Sequence, residues 1–138
     1  TELLDFQMLE HQVNRYRFLS RNATTAAIVD LVEAPGERRG HVAGGSVHHV
    51  AFRVANDAVQ MALREKIAAQ GFQITEQIDR NYFHSLYFRE PGGVLFEIAT
   101  DNPGFTADET LDGLGQSLKL PPQYERRRAE IEAVLPEL

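Results

Sequence analysis

Hydrophobic and polar residues alternate in short runs along the first quarter of this chain, and none of those runs reaches helical length. Three of them, Phe6 to Glu10, Arg15 to Leu19 and Thr25 to Val32, are separated by polar segments such as Glu10-His11-Gln12 and Ser20-Arg21-Asn22. Alternation bounded by turn-forming residues predicts three antiparallel strands within residues 2–33, with no helix of their own. From Glu33 to Ser46 the pattern dissolves into Gly, Pro and charge, in Ala34-Pro35-Gly36-Glu37-Arg38-Arg39-Gly40 and again in Gly44-Gly45-Ser46, which predicts a linker.

The most regular part follows. Val47 to Val54 alternates, with Val50, Phe52 and Val54 on one face and His49, Ala51 and Arg53 on the other. Asn56-Asp57 is a good helix start, Val59, Ala62, Leu63 and Ile67 recur at helical spacing, and Gly71 ends the run. Three more strands are predicted, Phe72 to Ile78, Tyr82 to Phe88 and Val94 to Ala99, the last two joined by the turn Arg89-Glu90-Pro91-Gly92-Gly93. The result is an α+β fold. A βαβββ module over residues 47–104 is preceded by a partial, three-stranded module and linker (1–46) and followed by a tail (105–138). The two three-stranded stretches point to a repeat whose first copy lacks its opening strand and helix. In the tail, Asp101 to Gly104 predicts a turn and residues 123–134 a charged helix, with Tyr124, Ile131, Val134 and Leu135 as apolar positions and Pro136 as its end.

Composition narrows the classes. With 138 residues, 43% apolar and 25% charged, the chain amounts to about one globular domain. No apolar run approaches the roughly 20 residues of a membrane span. Twenty acidic against fourteen basic residues leave a net charge of −6, and the one basic cluster, Arg126-Arg127-Arg128, interleaves with Glu125, Glu130 and Glu132 as a solvated helix face does. Both observations argue against a nucleic-acid groove. The absence of cysteine excludes disulfides, cysteine-zinc sites and a thiol nucleophile, and fits a cytoplasmic protein. The opening Thr1-Glu2-Leu3-Leu4 has no initiator Met, signal peptide or polar lead-in, so the sequence reads as a chain entered midway.

Strand parity sorts the candidate chemistry. Val94, Phe96 and Ile98, with His84, Leu86 and Phe88, share the helix side, leaving His49, Arg53, Ser85, Tyr87, Arg89 and Glu97 on the second face. Glu97, inside Val-Leu-Phe-Glu-Ile-Ala, is the sharpest clue, because a carboxylate in an apolar strand is costly unless paired, hydrogen-bonded or bound to metal. It is either salt-bridged to Arg53 or Arg89 or a ligand. His49 is either a hydrogen-bonded core residue or its companion, and imidazole with carboxylate on one face suits Fe(II), Mn(II) or Zn(II). Such a metal needs at least one more protein ligand. His11, in a turn after the first strand, and His41, in the linker, are read as solvated; His84, on the helix side, is a remote third ligand. His48 points away from His49 in a regular strand, yet a bulge or the strand's start brings it to the metal's periphery. Tyr87 either packs against a neighbouring sheet or donates at the site, and Arg80 is by default a surface residue.

Gly45-Ser46-Val47-His48-His49-Val50-Ala51-Phe52-Arg53-Val54, then Tyr82-Phe83, Leu86-Tyr87-Phe88-Arg89-Glu90-Pro91-Gly92-Gly93-Val94-Leu95-Phe96-Glu97-Ile98-Ala99-Thr100-Asp101, resembles the vicinal oxygen chelate superfamily of glyoxalase I, bleomycin and fosfomycin resistance proteins and type I extradiol dioxygenases. The match is closer to the C-terminal part of its ring-cleaving dioxygenases that open hydroquinones and catechols; it is specific over residues 45–105 and runs in outline through 1–138. The resemblance implies that His49 and Glu97 are two iron ligands and that His48, Arg80 and Tyr87 surround the substrate oxygens. There His48 and Tyr87 would move protons and Arg80 would hold an anionic oxygen. It implies Fe(II), with Mn(II) or Zn(II) as alternatives, and a small aromatic diol and O2 as partners. In that family the third ligand, a histidine, comes from another module, and nothing in this chain matches it. The chain therefore reads as the C-terminal part of a roughly twofold larger enzyme, completed by its N-terminal half or by forming a homo-oligomer. A glyoxalase-like lyase, isomerase or resistance protein of the same superfamily, and a metal-free module that binds an aromatic ligand, remain as alternatives.

Overall fold

The alternating runs pair into two sheets in the computed structural model of the chain, which describes residues 3–21, 23, 25, 27–38 and 40–136. β1 (Phe6–Gln12), β2 (Arg15–Ser20) and β3 (Ile28–Val32) form an antiparallel sheet in the order β1-β2-β3. β4 (Val50–Val54), α1 (Asp57–Ala69), β5 (Ile78–Asp79), β6 (His84–Arg89) and β7 (Leu95–Thr100) build a second sheet in the order β4-β7-β6-β5, with β4 parallel to β7 and the other pairs antiparallel. Three strands followed by a βαβββ unit is the α+β order that the pattern predicts. No helix among the described residues is long and apolar enough to cross a membrane.

The helix has visible start and stop chemistry. Asn56 is extended, and its side chain accepts a hydrogen bond from Val59 N at 3.1 Å, satisfying a donor that the first turn leaves free. Gly71, at φ +84°, turns the chain away, which a Cβ would resist. The helix seals the second sheet: Ile67, Leu86 and Ile98 are completely buried, Phe88 nearly so, and Phe52, Val54, Leu63, Phe72, Ile74 and Phe96 pack around them. Each full burial is worth about 1.5–3 kcal/mol. Buried Gln60 bridges helix and sheet, donating from Nε2 to His84 O at 2.8 Å and Ile98 O at 2.7 Å. The first sheet joins this core at its edge. Phe6 meets Phe52 edge-on at 5.8 Å, and Leu4, Phe6, Phe18, Val29 and Leu31 face Phe52 and Phe96 across an apolar recess of about 120 Å³.

Several boundaries move. β4 begins at Val50 rather than Val47, because its ladder with β7 starts at the pair Val50 and Phe96. Val50 and Val94, expected on the helix side, lie 40% and 49% exposed at strand margins, beyond the reach of α1. The strand expected over Phe72 to Ile78 reduces to an isolated bridge at Ile74 and the two residues of β5. Thr75 explains the break: Tyr87 N donates to its hydroxyl, and Arg64 Nε shares the region by donating to its carbonyl, so side chains stand in for part of a ladder. Of the strand expected over Thr25 to Val32, Ala26 lies outside the described residues, as do Thr1-Glu2 at the chain start and Arg39 of the linker, and the ladder covers Ile28–Val32. The tail helix divides into a 3₁₀ segment, Pro122–Arg127, and α2 (Arg128–Glu132). Its ion pairs Arg127 to Glu130 and Arg128 to Glu125 span three residues, the spacing that a 3₁₀ turn eclipses.

Candidate functional site

Glu97 sits in mid-β7 between Phe96 and Ile98, which turn toward the helix, so alternation sends its carboxylate to the opposite face. There it is only 3% exposed. Burial at that depth is tolerated because both oxygens have partners. Oε1 accepts from Ser85 Oγ at 2.5 Å and from Tyr87 OH at 2.9 Å; Oε2 lies 2.6 Å from His49 Nε2. Register explains the convergence. Tyr87 stands directly across from Glu97 on β6, and Ser85 is two residues earlier on the same face. Across the parallel pair, Glu97 faces Ala51, whose methyl leaves room for His49, two residues before it, to reach over.

His49 precedes the first ladder pair of β4, and so does His48. That irregular start lets the neighbours approach each other, Nδ1 to Nδ1 at 2.9 Å with perpendicular rings. A neutral His49 that donates from Nε2 to Glu97 must accept at Nδ1, so His48 is then the donor. The His49 ring also meets Tyr87 edge-on, 5.9 Å between centroids. Arg80, in the β5–β6 connection, lies 5.6 Å from the centre of the Tyr87 ring, with Nη2 3.4 Å from the phenol oxygen. His48, His49, Arg80, Tyr87 and Glu97 are thus one connected group.

The salt bridges weighed for Glu97 are not made. Arg53 Nε instead donates to Asp101 Oδ1 at 2.5 Å, and Arg89 Nη1 to Gly93 O at 2.8 Å, closing the β6–β7 turn. Among the described residues no lysine or arginine pairs with Glu97, so its partners are two hydroxyls and an imidazole. His84 faces the helix, as its parity requires, with Nδ1 2.6 Å from Asp57 Oδ1 in the first turn of α1. The Asn102 amide, followed by His84, holds the Asp57 carboxyl below the ordinary aspartate range, against partial burial that would raise it. His11 is in β1 rather than in a turn, because the ladder continues to Gln12, and its ring stacks on Tyr16 at 4.1 Å. His41 lines a recess of about 420 Å³ with His48 and Arg89.

His49 and Glu97 therefore offer one nitrogen and one oxygen that converge, a donor pair suited to a divalent first-row metal. Their outer contacts are of the kind that orient metal ligands: His48 on the far ring nitrogen, and Ser85 and Tyr87 on the far carboxylate oxygen. The residues fit such an ion as far as they go. Among the described residues, no group of three His, Cys, Asp or Glu side chains is assembled to hold one. Ser85 is the member that sequence reasoning placed on this face without giving it a role; its signal was the two-residue spacing from Tyr87.

Against known proteins, residues 1–98 match the family model of the Glyoxalase/Bleomycin resistance protein/Dioxygenase superfamily. The chain is 50% identical over 113 residues to the Bacillus subtilis (strain 168) protein named "Putative ring-cleaving dioxygenase MhqA", covering 82% of this chain and 35% of that protein. It is 40% identical over 121 residues to a chlorohydroquinone/hydroquinone 1,2-dioxygenase of Sphingobium indicum (strain UT26S), covering 86% of this chain and 37% of that one. A crystal structure from Bacillus subtilis subsp. subtilis str. 168, provisionally named a dioxygenase, superposes with a TM-score of 0.90 at 40% identity, over 98% of this chain and 43% of its own. The chain spans little more than a third of the curated relatives named here.

Proposed function

The chain belongs to the Glyoxalase/Bleomycin resistance protein/Dioxygenase superfamily, and from that premise we propose that it is the metal-binding C-terminal part of an Fe(II)-dependent dioxygenase that opens a hydroquinone or catechol ring with O2. The observation that carries this reading is Glu97, a buried carboxylate whose partners are all uncharged or titratable, aimed at a histidine nitrogen. His49 Nε2 and Glu97 Oε2 would hold the ion, with the third protein ligand supplied from outside these 138 residues. When bound, Fe(II) supplies a template and an electron relay between diol and O2.

The remaining roles belong to the chain itself. Tyr87 OH donates to Glu97 Oε1, and Arg80 beside that phenol brings positive charge to where a deprotonated substrate hydroxyl would lie. His48 shares a proton with His49 through their Nδ1 atoms, which suits it to take up or release one at a substrate oxygen.

The test grafts this chain into the Sphingobium hydroquinone dioxygenase in place of its matching 121 residues. The chimera is loaded anaerobically with Fe(II), mixed with hydroquinone and O2, and watched for a yellow ring-fission product. Turnover that needs Fe(II), O2, His49 and Glu97 supports the proposal. Turnover without O2 would assign a glyoxalase-like chemistry instead, and an aromatic ligand bound without metal or turnover would assign a binding module. The 138-residue chain alone should hold iron weakly and turn over poorly; robust ring cleavage by it would overturn the idea of an external third ligand.

A further inference from the structure

The two oxygens of Glu97 are divided between different kinds of partner. Oε1 takes two hydroxyl protons, from Ser85 and Tyr87, while Oε2 faces only the His49 nitrogen. Ser85 is completely buried and lies 2.5 Å from Oε1, the shortest contact in the group. An ionised carboxylate can only accept, so both hydroxyls donate, and an O–H to O⁻ bond at that separation is of the strong, charge-assisted kind. Tyr87 has a second neighbour in Arg80, whereas Ser85 has no outlet to water. We propose that Ser85 is a positioning residue whose hydroxyl fixes Glu97 Oε1, committing the carboxylate to offer Oε2 alone to the cation.

The chain's folding carries the same logic. Ser85 pairs with Ala99 on β7, two residues beyond Glu97, so its hydroxyl approaches the carboxylate along the strand direction while Tyr87 approaches from directly opposite. Two donors from different directions leave Oε1 little freedom to rotate toward the ion. A two-oxygen grip on the cation is thereby disfavoured, and the Glu97 side chain is held in one rotamer before any ion arrives.

This inference rests on the metal-site reading, so its test has one readout with the ion and one without. Ser85→Ala and the nearly isosteric Ser85→Cys remove the strong donor, and Ser85→Thr keeps it. Co(II) affinity of the chimera with the Sphingobium hydroquinone dioxygenase, measured by calorimetry, should fall about tenfold or more in the Ala and Cys variants and be retained with Thr. In the metal-free protein, three-bond couplings across the Glu97 side chain should change from single-rotamer values to averaged ones in Ala and Cys, and stay single with Thr. Couplings unmoved by Ala or Cys, or lost equally with Thr, would overturn the positioning role. A chimera with Ser85 intact that binds no Co(II) would sink the metal reading instead, while the couplings would still decide what Ser85 does.

Discussion

The two sheets place a carboxylate at the same point and treat it in opposite ways. In the first, Asp30 on β3 stands across from Arg17, flanked by the apolar pair Phe18 and Val29; in the second, Glu97 on β7 stands across from Tyr87, flanked by Phe88 and Phe96. Asp30 accepts two hydrogen bonds from Arg17 and one from Arg15, all at 2.8 Å. Glu97 accepts from two hydroxyls and faces an imidazole. Guanidinium groups cancel the charge of Asp30 and hold its carboxyl well below the ordinary range. Among the described residues no guanidinium reaches Glu97, whose partners are hydroxyls and an imidazole, so of the two carboxylates it is the one that the proposed metal site can use.

Burial separates the sheets as sharply as charge does, and there the largest effect is expected. Ile98 and Leu31 each follow the carboxylate by one residue; Ile98 is completely buried under α1, and Leu31 is 49% exposed. Ile98→Ala should cost about 2–5 kcal/mol in urea unfolding, and Leu31→Ala about 1 kcal/mol or less. Equal costs would mean that the first sheet is covered in solution by something that restores the symmetry.

Next comes the cation itself. In the chimera, Glu97→Gln replaces the proposed carboxylate ligand by an amide and should lower Co(II) affinity by more than about 100-fold, beyond what losing an outer partner does, whereas Asp30→Asn should leave it within about twofold. Calorimetric titration of both variants distinguishes them. A loss at Asp30 matching that at Glu97 would contradict the division of roles.

The grouping around Glu97 was legible because it needs only a period of two: parity put His49, Ser85, Tyr87 and Glu97 on one face before any contact was known. What parity could not supply was anything that depends on a hydrogen-bond partner distant in sequence. The start of β4 at Val50 is set by where β7 begins to pair, and that start decides that His48 meets His49 instead of pointing away. The interrupted edge near Thr75 depends on Arg64 from the helix, and the Asp57–His84 pair joins residues 27 apart, from α1 and β6. The two ends of β7's apolar run read alike as sequence, yet Ile98 lies beneath the helix while Val94 falls outside it. Alternation tells which face a side chain takes, and tertiary packing decides whether that face is covered.

The helix that makes this difference has a point of attack. Asn56→Ala removes the acceptor of Val59 N and should cost about 1 kcal/mol. The first sheet has no helix of its own, so amide exchange should accelerate in α1 and β7 before it does in β2. Uniform acceleration through both sheets would show that they open as a single unit.

The smallest expected effect concerns acid. Asp30 is depressed chiefly by its hydrogen bond from Arg17, then by that from Arg15, with burial opposing. An unfolded chain carries an aspartate of pKa about 3.9, so below that value the unfolded state binds a proton that the folded state still refuses. The stabilisation is therefore complete above about pH 4 and drains away as pH falls toward the lower folded value. Asp57 and Glu125 are depressed too, and they drain in the same direction. Replacing Arg15 and Arg17 together by Gln leaves those two groups in place and removes only the contribution of Asp30. Midpoint temperatures followed from pH 7 downward should thus fall less steeply below about pH 4 in the double variant than in the wild type, from a lower starting point. Parallel curves would mean that the guanidinium pair does not set the charge state of Asp30, and the contrast with Glu97 would lose its electrostatic half.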